Sequence, residues 1–255
     1  MHDLSTKTIL LTGASKGIGS ATARRLGECG AHVIAHYGSD RAGAEAATAA
    51  IPAERKCLLQ ADLGDLDAVE RLWAEASAWR GRIDVLVNNA ATMRQDGGPD
   101  APLADWDSAW EESLRINVLA PARLMRRAVL DWRGRGGGAI VTISSWAAQR
   151  GVTNPASIAY GASKAAVRSA TQTLARAYAR DGIYCYAIAP GVVGTRLSEQ
   201  FAETQGGKDK VFATLAMGDW VQPAEIADVV AFLCTGSARN LSGGTIDMNG
   251  ASYVR

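Results

Sequence analysis

Tyr160 and Lys164 stand four residues apart in Tyr160-Gly161-Ala162-Ser163-Lys164. The surrounding stretch, Ser157–Arg180, has the pattern of a helix, so the phenol and the ammonium lie on one face. A free tyrosine has a pKa near 10, too high for efficient proton exchange at pH 7. Bringing it to neutrality takes about 3 units, roughly 4 kcal/mol of preference for the phenolate. A neighbouring ammonium supplies part of that, and the phenol can then give a proton to a carbonyl oxygen or take one from an alcohol. Such chemistry needs a hydride carrier, and Thr12-Gly13-Ala14-Ser15-Lys16-Gly17-Ile18-Gly19 offers a seat for one. Gly13, Gly17 and Gly19 fall where an apolar strand passes into a helix. Glycine there permits a tight turn, bare backbone beside a pyrophosphate, and close helix–strand packing. The N–H groups and positive dipole end of the helix then face the phosphates. The spacing is G-x-x-x-G-x-G, not the commoner G-x-G-x-x-G.

These groups must be positioned by a regular alternation of elements. Strands are expected at Lys7–Thr12, Ala31–Tyr37, Cys57–Ala61, Ile83–Val87, Ala139–Ser144, Ile183–Ala189 and Gly244–Met248. Helices are expected at Gly17–Glu28, Arg41–Ile51, Leu66–Ala78, across much of Asp105–Trp132, at Ser157–Arg180 and at Pro223–Cys234. Ile83–Val87 and Ile183–Ala189 are near-continuous apolar runs, as when helices cover both faces of a sheet. The whole reads as a single α/β domain over 1–255, a doubly wound, seven-stranded parallel sheet.

At 255 residues the chain can bury a sizeable core. Its 27 basic and 26 acidic side chains leave a net charge of +1, with no electrostatic case for nucleic acid or an anionic membrane. Met1–Lys7 is too polar and short for a signal peptide, and no apolar run approaches the roughly 18 residues of a membrane span. Cys29, Cys57, Cys185 and Cys234 are scattered and read as small apolar residues of a reduced, cytoplasmic protein. His32 and His36 share a strand face about 13 Å apart, too far to grip one ion, so no metal is expected.

The glycine spacing resembles that of the short-chain dehydrogenase/reductase family, and the match extends over nearly the whole chain. The resemblance implies a Rossmann fold and hydride transfer between a nicotinamide cofactor and a ketone or secondary alcohol. Asp62-Leu63 looks like the adenine-contacting acid and its neighbour. Asn88-Asn89-Ala90-Ala91 resembles the family's N-N-A-G, which props the first turn and borders the cofactor; Ala91 in place of glycine narrows the space near the nicotinamide ribose. Pro190-Gly191-Val192-Val193-Gly194-Thr195 is similar to P-G-x-x-x-T, which contacts the nicotinamide amide. Lys164 then also binds the ribose hydroxyls, and Ser145 matches the serine that hydrogen-bonds the substrate oxygen, with Ser144 as competitor. Ser145 precedes Tyr160 by 15 residues where 13 is common, implying an insertion around Asn154-Pro155. Asn117 resembles the helix asparagine that anchors a water beside the lysine, and its poor helix propensity points the same way.

The cofactor is expected to be NADP(H), with NAD(H) possible. NAD-specific relatives carry an acid at the end of the second strand, where this chain has Tyr37; Asp40 comes three residues later, as a loop or cap residue. Lys16, Ser39 and Arg41 could supply donors to a 2′-phosphate.

Substrate contacts are expected from Ala91–Leu103, from Trp146 to Ser157, and from Arg196–Trp220, which reads as a lid. Trp146 is a candidate apolar wall or packing residue, and Arg150 a candidate anion contact or a solvated side chain. The substrate is a small ketone or sugar-like alcohol; the alternatives are a 3-oxoacyl-(acyl-carrier-protein), docked by Arg133, Arg135 and Arg180, or a non-catalytic NADP sensor. The family resemblance implies a homotetramer built on the Asp105–Trp132 and Ser157–Arg180 helices, with Ala165, Ala166, Ala170 and Ala175 allowing close approach, and on the tail Leu241–Arg255.

Overall fold

The computed structural model describes residues 2–195, 198–199, 202–203 and 206–254. Met1, Arg196 at the start of the expected lid, and Arg255 at the end of the expected tail lie outside them. The strands are β1 (Thr8–Leu11), β2 (His32–Tyr37), β3 (Lys56–Gln60), β4 (Val85–Asn88), β5 (Gly138–Ile143), β6 (Ile183–Pro190) and β7 (Thr245–Met248). They form one sheet in the order β3-β2-β1-β4-β5-β6-β7, with every pair parallel. This is the Rossmann-like arrangement expected from the strand–helix alternation.

Period-two side-chain direction divides the core between the two faces. Ile9, Leu11, Val85, Val87, Val141 and Ile188 point to one side, where they meet α1 (Gly17–Glu28) and the helix Pro223–Cys234. Leu10, Leu86, Ile140 and Cys185 point to the other, against α3 (Leu66–Arg80), α5 (Ala120–Trp132) and α7 (Ile158–Tyr178). Trp132 is buried there and its indole N–H donates to the Ile83 carbonyl at 2.6 Å.

Two expected helices differ from the structure. The second, α2 (Arg41–Ala47), stops four residues short of Ile51. The Thr48 hydroxyl bonds back to the Ala44 carbonyl at 2.9 Å and the Lys56 ammonium takes the Thr48 carbonyl, so the backbone leaves the helix there. The long helix is divided into α4 (Leu103–Leu114) and α5 by a π-turn over Arg115–Leu119. Pro121 has no N–H for the carbonyl of Asn117, four residues back, which removes the α-helical bond and favours the wider turn.

Because β1 has β2 on one side and β4 on the other, the strand order switches sides there, and the crevice at the carboxyl ends of these strands is where such sheets hold ligands. The segments after β1, β2, β4, β5 and β6 all emerge at that edge.

Candidate active site

The turn after β1 is held by its neighbours as much as by its own glycines. Gly13 has φ +70° and Gly17 φ +54°, both in the left-handed region that suits glycine. A methyl on Gly19 would overlap the Gly13 carbonyl and stand 2.6 Å from the Asn89 amide nitrogen. The Asn89 amide donates to the carbonyls of Thr12 and Gly13 at 2.8 and 3.0 Å. The Thr12 hydroxyl in turn accepts from the backbone N–H of Asn89 and Ala90. No side chain caps the α1 N-terminus at Lys16, so its first N–H groups remain for an anion.

The turn forms one end of a cavity of about 1010 Å³. Of the expected cofactor residues, Gly13, Ser15, Lys16, Gly17, Ile18, Ser39, Asn89, Ala90, Ala91, Pro190, Gly191, Val193 and Thr195 line it, together with Ser145, Tyr160 and Lys164. Gly19 lies behind the turn and Asn117 behind the catalytic face. Tyr37 is buried and Asp62 is exposed, its carboxylate accepting from the Gly64 N–H at 2.8 Å. Leu63 is in the core; none of these last three lines the cavity. Arg41 pairs with Glu45 at 2.8 Å and is likewise absent from the wall. Asp40 caps α2 by accepting from the Gly43 N–H and also pairs with Lys16 at 3.0 Å; those two partners hold its carboxyl below the usual range.

At the other end the two serines separate clearly. The Ser144 hydroxyl is buried and donates to the Lys164 carbonyl at 3.0 Å. The Ser145 hydroxyl faces the Tyr160 phenol and accepts from the Ala147 N–H at 3.1 Å. The Lys164 ammonium donates to the Ile143 carbonyl at 2.7 Å and lies 5.7 Å from the centre of the Tyr160 ring. Burial lowers the Lys164 pKa to about 8. Burial also raises that of Tyr160, and the Ser145 hydroxyl offsets this only in part. Lys164 is not among the causes of that shift; desolvation dominates, and Tyr160 is protonated at neutral pH.

Asn117 is anchored on both sides. Its side-chain oxygen accepts from the Thr92 N–H at 2.8 Å, and its amide donates to the Thr92 carbonyl and the Ser163 hydroxyl, both at 2.9 Å. Asn117, Lys164 and the buried Asn88 border a void of about 10 Å³, at the lower limit for one water. Neither polar atom of the Asn88 side chain has a protein partner.

The lengthened segment between Ser145 and Tyr160 builds the cavity mouth. α6 (Ala147–Arg150) is followed by Gly151, Val152, Thr153 and Asn154, all on the wall. The Asn154 carboxamide caps the short turn Pro155–Ser157 at the Ala156 N–H. Trp146 also lines the cavity and packs with Val192 and Phe212 against Val211, Leu215 and Trp220. The described part of the expected lid therefore has a small apolar core of its own, including a helix, α8 (Lys208–Phe212).

Two contributors escaped the sequence reading. Pro121 withholds the N–H that would take the Asn117 carbonyl in an α-helix, a signal legible in the sequence. His36 was weighed only as a metal ligand, yet it is buried with Nδ1 accepting from the Gly13 N–H at 3.1 Å and Nε2 against the Ala61 carbonyl at 3.0 Å. Only the neutral ring protonated on Nε2 makes both bonds. Burial lowers its pKa from 6.5, against a smaller opposing effect of the Ala61 bond. The unfolded chain therefore binds this proton first, so the stability His36 lends is present above pH 6.5 and is lost as pH falls toward the folded value. Urea-unfolding midpoints should fall between about pH 6.5 and 5, and less steeply in His36→Asn. Equal slopes would remove His36 as the cause.

Residues 13–250 match the family model described as enoyl-(acyl carrier protein) reductase. The 3-oxoacyl-[acyl-carrier-protein] reductase FabG of Staphylococcus aureus is 31% identical over 251 residues, 98% of this chain and 99% of that one. The cis-4-hydroxycyclohexanecarboxylate dehydrogenase of Sinomonas cyclohexanicum is 34% identical, over 96% of this chain and 95% of its own. A solved structure of 3-ketoacyl-(acyl-carrier-protein) reductase from Brucella melitensis complexed with NADH has a TM-score of 0.86 at 26% identity, covering 99% and 100% of the two chains. With the glycine turn and the tyrosine–lysine helix meeting in one cavity, the chain belongs to the short-chain dehydrogenase/reductase family, NAD(P)-dependent oxidoreductases acting on CH–OH groups.

Proposed function

We propose that this protein interconverts a small ketone and its secondary alcohol with NADP(H), accepting NAD(H) as well. The observation that carries the reading is the meeting of Ser145, Tyr160 and Lys164 on the wall of the cavity whose opposite end is the glycine turn. The turn fits a dinucleotide: Gly19 lets the first helix close on the turn, and the α1 N–H groups are uncapped. Lys16 and Ser39 stand on the wall beside it as donors for a 2′-phosphate, and the second strand ends in Tyr37, not an acid. Bound there, the nicotinamide supplies or accepts hydride.

Tyr160 gives its proton to the carbonyl oxygen during reduction, a role suited to a phenol that burial keeps protonated. Ser145 donates to the same oxygen and orients it. Lys164 spends one N–H on Ile143 and has two more for ribose hydroxyls. The Asn117 carbonyl and the void beside Lys164 form a place for a water that returns the proton to the site.

Reduction of an acyl thioester on a carrier protein is the second reading, supported by the FabG relative. Against it, Arg133 already pairs with Asp181 at 3.7 Å and lies over the Tyr178 ring, so it is not a free docking cation. The cyclohexanecarboxylate dehydrogenase favours a small substrate.

Assembly into a tetramer is part of the same proposal. Leu103, Leu114, Leu119, Leu130 and Ile158 are exposed on α4, the π-turn, α5 and α7, an apolar set suited to a partner. Ala166 is open there, whereas Ala175 is buried in the chain's own core. Sedimentation should give a species about four times the monomer mass; a monomer alone would remove the assembly.

Tyr160→Phe should lower NADPH-dependent ketone reduction about a hundred- to ten-thousand-fold while NADPH binding, followed by fluorescence, persists. Unchanged turnover would end the assignment of Tyr160.

A further inference from the structure

Besides Lys164, the substrate end of the cavity carries one charged side chain among the described lining residues. Arg150, the last residue of α6, stands at the mouth with its guanidinium 4.6 Å from the centre of the Trp146 ring. Trp146 follows Ser145 directly and Arg150 comes four residues later, so the Ser145 hydroxyl, the indole and the guanidinium share one short stretch of chain. The Trp146 ring is fixed from behind by the cluster of Val211, Leu215 and Trp220. A guanidinium stacked on such a face keeps its edge N–H groups for an in-plane acceptor.

No ion pair occupies Arg150 among the described residues. Asp96 and Glu112 hold Arg94 at 2.6 and 3.7 Å, and Glu199 holds Lys208 at 3.0 Å. Asp40, the one acid among the described lining residues, is beside the glycine turn and paired with Lys16. The substrate end therefore has a cation and no acid to balance it. Met93, Val152 and Val192 supply apolar surface on the same wall.

We propose that Arg150 anchors a carboxylate on the substrate, which makes the preferred ketone an oxo acid with an apolar spacer between its carbonyl and acid groups. The proposal rests on the oxidoreductase reading of the same cavity and adds the substrate's charge. A planar carboxylate matches the fork of an arginine held on an indole. The neutral ester of the same acid fills the same apolar space and loses only that interaction, so acid–ester discrimination isolates it.

The test compares NADPH-dependent reduction of 4-oxocyclohexanecarboxylate with that of its methyl ester in the wild-type protein, Arg150→Met and Arg150→Lys. The wild type should favour the acid in kcat/KM by about tenfold or more, chiefly through KM. Arg150→Met should bring the ratio close to one, with the loss falling on the acid, and Arg150→Lys should restore part of it. Cyclohexanecarboxylate, which has no carbonyl to reduce, should inhibit the wild type competitively and Arg150→Met far more weakly. An equal loss on acid and ester, or no preference in the wild type, would overturn the proposal. Turnover of neutral ketones or a 3-oxoacyl thioester but not of the oxo acid would overturn it and leave the oxidoreductase reading standing. No turnover of any carbonyl by NADPH-loaded protein would overturn that reading as well.

Discussion

The site depends on how closely the first helix approaches the turn that precedes it. At Gly19 there is no room for a side chain, because the Gly13 carbonyl and the Asn89 amide occupy the space. That approach aims the α1 N-terminus into the crevice beside β1, where the strand order switches sides. Asn89 and Thr12 lock β4 to the turn, and His36 locks β2 to it. Three adjacent strands thus fix the proposed phosphate seat, and a fault in any of these contacts would move that end of the cavity.

The catalytic end is fixed by a different device. A proline in the long helix releases the carbonyl of Asn117 and widens the turn, while the Asn117 side chain grips the Thr92 backbone and Ser163. Ser163 lies next to Lys164 on the tyrosine helix, so the β4 loop, the π-turn and that helix are held in one arrangement. Desolvation then decides the proton chemistry. It keeps the phenol protonated and lowers the lysine to about 8. A phenol so held is protonated at neutral pH, as the proposed proton donor to a carbonyl must be.

The fold was legible because both of its periodicities were strong. Apolar runs marked buried parallel strands, and the glycine trio and the tyrosine–lysine spacing marked two ends of one crevice. Gly17–Glu28 and Pro223–Cys234 have the expected bounds because glycine and proline signals are local. The π-turn was missed because helical periodicity persists through one wide turn, although Pro121 announced it. The end of α2 was missed because Thr48 stops that helix by bonding its own backbone, which alanine-rich periodicity conceals. The reach of Arg41, Asp62 and Tyr37 could not be read from spacing, since side-chain direction at strand ends depends on neighbouring loops. Of the two adjacent serines the family pattern points to Ser145; both line the cavity, but the Ser144 hydroxyl is spent on the Lys164 carbonyl.

The most direct measurement is a crystal structure of the protein with NADPH bound. The account requires the pyrophosphate on the N–H groups at Gly17–Gly19, the ribose within reach of Lys164, and the nicotinamide facing Tyr160 and Ser145. A dinucleotide seated elsewhere, or a nicotinamide turned away from Tyr160, would contradict it.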